Sequence, residues 1–191
     1  MALVDRVKGI LLTPAKEWRV IEPEAARTGG LFTGYVLPLA ALPPIASFVG
    51  TSVVGVRMMS TTMRVTTETA LKASLAQFVF SLASVYLLAL IVDALAPTFG
   101  ATRNAMQALK LSIYSCTAVW VAGIFAILPG TSALTLLGLY SIYLLYLGLP
   151  VMMKAPADKQ VAYTVVTAAC AVGLFYALNS LSRNMFGFGM Y

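Results

Sequence analysis

The side chains able to do chemistry in this sequence are few, and the most conspicuous is Asp93. It is the one carboxylate inside a long apolar run, Leu71–Ala96. Arg103 and Lys110 follow across a short connection, so either can reach its depth. An Asp93–Lys110 or Asp93–Arg103 ion pair is expected. It would serve as part of an ion or proton relay, or as a neutralised pair that fixes two helices as a hairpin. Histidine is absent, which removes Ser-His and Cys-His nucleophilic systems and histidine-ligated zinc. A proton-sharing dyad needs a second carboxylate, and no spanning segment supplies one. No Walker loop, dinucleotide-binding glycine pattern or carboxylate cluster for magnesium occurs. Cys116 and Cys170 both lie in apolar runs and read as packed thiols. The expectation is a protein that is not an enzyme and holds no cofactor or metal.

Uncharged polar residues form a second group. At 100° per residue, Ser74, Gln77, Ser81 and Ser84 share one helical face, with Asp93 about 160° away from Gln77. Asn104, Gln107, Lys110 and Tyr114 share a face on the next helix. Such stripes either line a transport path or bond helices together. Tyr140, Tyr143 and Tyr146 line one side of a later helix, suited to a ligand wall or to interhelical packing. Small-residue runs at Ala118, Ala122, Ala126 and at Ala169, Gly173, Ala177 permit close helix contact.

The elements that position these residues follow from solvent. Of 191 residues, 60% are hydrophobic and only 10% charged, against about 25% charged in soluble domains. No core of that length hides so much apolar surface, but a bilayer accepts it. Five apolar segments stand out, Leu31–Val56, Leu71–Ala96, Ala105–Leu128, Ser132–Met153 and Gln160–Ser180. Each can cross a hydrocarbon core of about 30 Å as a helix, because backbone amides in lipid need internal partners. Pro38, Pro43 and Pro44 kink the first segment, and a re-entrant start is an alternative.

Residues 1–30 form a separate amphipathic element, with no secretory signal pattern. Leu3, Val7, Ile10 and Leu11 share a face, and Thr13-Pro14 restarts a helix with Thr13 as cap. This element either lies on the membrane surface, with Trp18 at headgroup level, or packs on the bundle's cytoplasmic end. Lysine and arginine number nine on the N-terminal side of the membrane and four on the other. That excess predicts a cytoplasmic N-terminus and residues 182–191 as a short tail outside. The net charge of +6 then reflects basic flanks facing anionic lipid, and nucleic acid is not an expected partner.

Two stretches carry a family resemblance. One is "LLTPAKEWRVI", with Pro14, Trp18 and Ile21; the other holds Tyr143, Tyr146, Leu147, Gly148, Pro150, Met153, Pro156, Lys159, Tyr163 and Thr164. Together they resemble the Yip1 family of five-helix membrane proteins, from about Leu11 to Ser180. The resemblance implies five spans and a cytoplasmic N-terminus. Eukaryotic members are implicated in vesicle traffic and in binding prenylated Rab GTPases. This chain lacks their long acidic region and any "DLYGP"-like segment, and looks like the compact bacterial members; Rab binding is not carried over.

The expected fold is all-α, a polytopic five-transmembrane-helix bundle with an N-terminal amphipathic cytoplasmic helix, in a bacterial inner membrane. The expected role is a scaffold or partner-binding factor in membrane organisation, the alternative an oligomeric channel or transporter. Lipid headgroups and a protein partner or second copy are the expected partners. Trp18, Gly148, Pro150, Lys154 and Lys159 are the candidate contacts. Lys154 and Lys159 occupy a polar connection that serves as a docking site or simply as the corner between two helices.

Overall fold

A computed structural model describes residues 2–58, 61–63, 65–128, 134 and 136–186. Two short helices come first, α1 (Leu3–Leu12) and α2 (Pro14–Ile21). Thr13 separates them at φ −136° and ψ 53°, and Pro14, which has no N–H to satisfy, opens the second. Thr13 does not cap α2 as expected. Its Oγ1 instead donates to the Gly9 carbonyl at 3.2 Å, closing α1.

Among the described residues, four helices are long and apolar enough to cross a membrane: α3 (Thr28–Val54), α4 (Thr67–Leu95), α5 (Ala105–Ile127) and α7, whose apolar part is Gln160–Leu178. Between them, α6 (Leu136–Met152) is apolar but shorter. Helix α3 is continuous, without a re-entrant break. Its irregularity takes the form of two π turns, Phe32–Val36 and Val49–Val54, and a turn at Ala41 ahead of Pro43 and Pro44. Each proline removes a donor, and wider turns absorb the mismatch. A two-stranded antiparallel hairpin, β1 (Val56–Met58) and β2 (Thr61–Met63), joins α3 to α4. Helix α7 continues to Phe186, so residues 182–186, expected as tail, are helical. Arg64, Ser132 and residues 187–191 lie outside the described residues.

Side-chain distribution follows a hydrocarbon solvent. On α4, Leu71, Leu75, Val79 and Leu90 are exposed, while Ser74 is buried. The same inversion holds on α7, where Val165, Val172 and Phe175 are exposed and Thr164 and Thr167 are buried. Water would reverse both patterns; lipid makes them favourable.

Helices α3 and α5 approach most closely at glycines. A Cβ on Gly50 would collide with the Ala126 carbonyl oxygen, and one on Gly123 would lie 2.5 Å from Pro43 Cγ. The Ala118–Ala122–Ala126 run therefore belongs to a real helix contact. The Ala169–Gly173–Ala177 run does not, since those residues are exposed and a Cβ on Gly173 would meet nothing within 4 Å. Gly50→Ala should thus cost about 1–3 kcal/mol through overpacking against backbone. Gly173→Ala should be neutral or stabilise by up to about 1 kcal/mol through helix propensity. Reversible unfolding in mixed micelles measures both.

Candidate functional site

The α1–α2 hairpin lies against α5 and α6, and the polar residues of the chain converge there. Arg6 faces inward on α1 and is 5% exposed. Its Nη1 donates to Glu17 Oε1 on α2 at 2.6 Å, and its Nη2 donates to Glu24 Oε1. Gly9 leaves the room for this, because a Cβ there would sit 2.6 Å from the Glu17 carboxyl carbon. Burial alone lowers the Arg6 pKa, but the hydrogen bond and charge of Glu24, with Tyr114 and Glu17, outweigh it and raise it above its ordinary value. A raised cation contributes its stability at every pH below its ordinary value, so Arg6 imposes no pH dependence near neutrality.

Lys110, on the second turn of α5, is 2% exposed. Its Nζ donates to the carbonyls of Ile21, Glu22 and Glu24 at 3.0, 3.1 and 2.6 Å. Ile21 and Glu22 close α2 and Glu24 follows in the next turn, so the ammonium sits at the helix C-terminus, where a cation is favoured. Gln107, one turn earlier, adds a bond from Nε2 to the Glu22 carbonyl at 3.0 Å. Asn104 Oδ1 caps α5 by accepting from the Gln107 amide.

Trp18 completes the contact. It is fully buried, edge-on to Tyr114 with ring centroids 6.4 Å apart. Gly148 of α6 makes its space: a Cβ there would collide with Leu111 Cδ1 and lie 2.8 Å from Trp18 Cε2. At the tip of the hairpin, Tyr140 Oη donates to the Leu11 carbonyl at 3.1 Å. Lys154, at φ 54°, reaches Glu22 Oε1 at 2.9 Å. Beside this contact a cleft of about 370 Å³ opens, lined by Arg6, Glu24, Gly30, Gly34, Tyr35 and Tyr114 among others.

With this geometry in view, the Yip1 domain matches residues 8–179. The chain belongs to the Yip1 domain family. Two relatives, each named inner membrane protein YohC, come from Escherichia coli K12 and Escherichia coli O6:H1. Each is 25% identical over 191 residues, covering 97% of this chain and 98% of the relative. No solved structure matches.

For a Yip1-domain protein read from sequence, several site residues need relocating. Lys110 does not meet Asp93; the α2 carbonyls hold it. Arg103 does meet Asp93, with Nη2 to Oδ2 at 2.9 Å, and its side chain is 63% exposed. Arg103, ten residues on, reaches back to the carboxylate, while the Lys110 ammonium is already taken by the hairpin carbonyls. Trp18 and Gly148 are not lipid or partner contacts, because each is buried against the other. The polar stripe divides. Gln107 and Tyr114 face the hairpin, while Gln77, Ser81 and Ser84 line a cavity of about 210 Å³ whose other walls are apolar. There Trp120 Nε1 donates to Ser81 Oγ at 3.1 Å. Ser74 is buried away from that cavity. Pro150 is half-buried inside α6, and Lys159 is exposed in the connection to α7. Tyr143 is exposed and stands beside Tyr140, at 5.3 Å between centroids.

Sequence reasoning missed the Arg6–Glu17–Glu24 cluster and Tyr35. The signal was Gly9 and the Thr13-Pro14 break: folding the helices back at that break sets Arg6 opposite Glu17. Two outcomes are expected. Arg6→Ala leaves Glu17 buried and unpaired, a loss of about 3–5 kcal/mol, measurable as a lowered unfolding midpoint. Lys110→Met leaves the Glu24 carbonyl without its donor and weakens the contacts at Ile21 and Glu22, a loss of about 1–3 kcal/mol. Trypsin should then cut at Lys16 and Arg19 at least about tenfold faster, with the rest of the bundle intact.

Proposed function

We propose that this chain is a non-enzymatic, five-span protein of the inner membrane. In this reading its N-terminus is cytoplasmic, and it works as a scaffold or partner-binding factor in membrane organisation. Localisation rests on the apolar helices together with the relatives named as inner membrane proteins. Orientation rests on the excess of lysine and arginine at the hairpin end. Helix α6 is the fifth span in this reading, enclosed between α5 and α7.

The observation that carries the functional reading is the outer face of the hairpin. Its inner face is used up in docking, yet Val4, Leu12 and Val20 are exposed beside exposed Lys8, Lys16 and Arg19. An apolar and cationic surface on a firmly anchored element suits contact with a protein partner or a second copy, over anionic headgroups. Transport is less well supported. The two polar stripes diverge, and the cavity holding Gln77, Ser81 and Ser84 has mostly apolar walls.

Photo-crosslinkers placed at Lys16 and Arg19 in cells should capture a discrete protein band, and crosslinkers at Val79 should not. Purified protein in sealed vesicles should show no solute flux above empty vesicles. A selective flux that Gln77→Leu abolishes would overturn the scaffold reading in favour of transport.

A further inference from the structure

The cleft beside the hairpin has the composition of a headgroup site. Its floor is Gly30 and Gly34, one turn apart at the start of α3, and a Cβ on either would meet nothing within 4 Å. Helix α3 has 27 residues, about 40 Å at 1.5 Å per residue, against a hydrocarbon core of about 30 Å. Its first turns, preceded by exposed Arg27, therefore overhang the core and sit at the headgroup layer.

The polar groups around that floor have spare capacity. Arg6 uses two of its N–H groups in the bonds to Glu17 and Glu24, leaving three of a guanidinium's five donors. Glu24 accepts through Oε1, and its side chain is 41% exposed. Tyr114 is 5% exposed and lines the cleft, yet its hydroxyl makes no hydrogen bond among the described residues. Tyr35, packed against it at 4.7 Å between ring centroids, bonds Thr117 Oγ1 instead. Formal charge balances: Arg6 and Glu24 line the cleft, while around it Lys110 and Lys154 are matched by Glu17 and Glu22. An anionic headgroup would meet the Glu24 carboxylate, and a simple cation would meet the Arg6 guanidinium. A group with one charge of each sign disturbs neither.

We infer that this cleft binds the headgroup of a zwitterionic phospholipid with a primary amine, of the phosphoethanolamine type. The phosphate takes the spare Arg6 donors and the Tyr114 hydroxyl. The ammonium, with three N–H donors, takes the free oxygen of Glu24, which a trimethylated amine cannot do by hydrogen bonding. The acyl chains leave past Gly30 and Gly34 into the bilayer. This inference needs the spanning helices and is independent of the scaffold reading.

The test is native mass spectrometry and thermal stabilisation of delipidated protein with dioleoyl lipids carrying phosphoethanolamine, phosphocholine or phosphoglycerol headgroups. The phosphoethanolamine lipid should bind at least about tenfold tighter than the other two. Gly34→Leu fills the cleft without touching a charge and should abolish that preference. Tyr114→Phe and Glu24→Gln keep the packing and should each reduce it; they decide the matter if Gly34→Leu does not fold. Equal binding of the phosphocholine lipid, a preference for the phosphoglycerol lipid, or a preference surviving these variants would each overturn the assignment.

Discussion

One buried ammonium ties the two parts of this molecule together. Lys110 sits where α5 enters the bundle and spends its three donors on carbonyls at and just past the end of α2. An amphipathic hairpin of 8- and 10-residue helices is too short to hold its shape alone in water. Docked on Lys110, with Trp18 in the gap above Gly148, it becomes part of the bundle. The placement of Arg6, the cleft beside it and the basic outer face all depend on that docking.

Several other polar groups answer to the same constraint, though Trp18 Nε1, Ser112 Oγ and Thr167 Oγ1 stay buried without a partner among the described residues. In a bilayer an unsatisfied donor or acceptor has no water to turn to. Tyr163 donates to the Val92 carbonyl, Gln160 Nε2 to that of Tyr146, and Tyr35 bonds Thr117. The connections at the hairpin end are joined likewise, the Thr102 amide donating to the Met153 carbonyl at 2.8 Å and Phe99 stacking on Tyr163. The polar stretch around Lys154 is thus bound into the corner through its backbone, while its lysines stay at the surface. Arg103 and Asp93 pair at the rim, where an exposed ion pair contributes about 0–1 kcal/mol. That magnitude suits a clasp between α4 and α5.

Membership of the Yip1 domain family was legible in "LLTPAKEWRVI" and in the residues from Tyr143 to Thr164, and the family match spans residues 8–179. Those residues carry the signal because they meet in the fold: Pro14 sets the hairpin turn, Trp18 needs Gly148, and Tyr163 locks the next helix. Their spacing in sequence reported a contact whose partners it did not name.

By itself the sequence determined the solvent, the helical class and the absence of histidine chemistry, because composition and hydropathy are sums over residues and need no coordinates. It also marked the approximate limits of α3, α4, α5 and α7. Which polar residues meet was decided only in three dimensions. Helical periodicity gives the face on which Lys110 lies but not what packs against that face. Asp93 was nearer along the chain, yet the hairpin from 86 residues away supplied three carbonyls at once. Trp18 likewise reads as an interfacial anchor from its own amphipathic helix and becomes core only because α6 offers a glycine. Burial of charge is a property of the assembled surfaces, and no local stretch of sequence contains it.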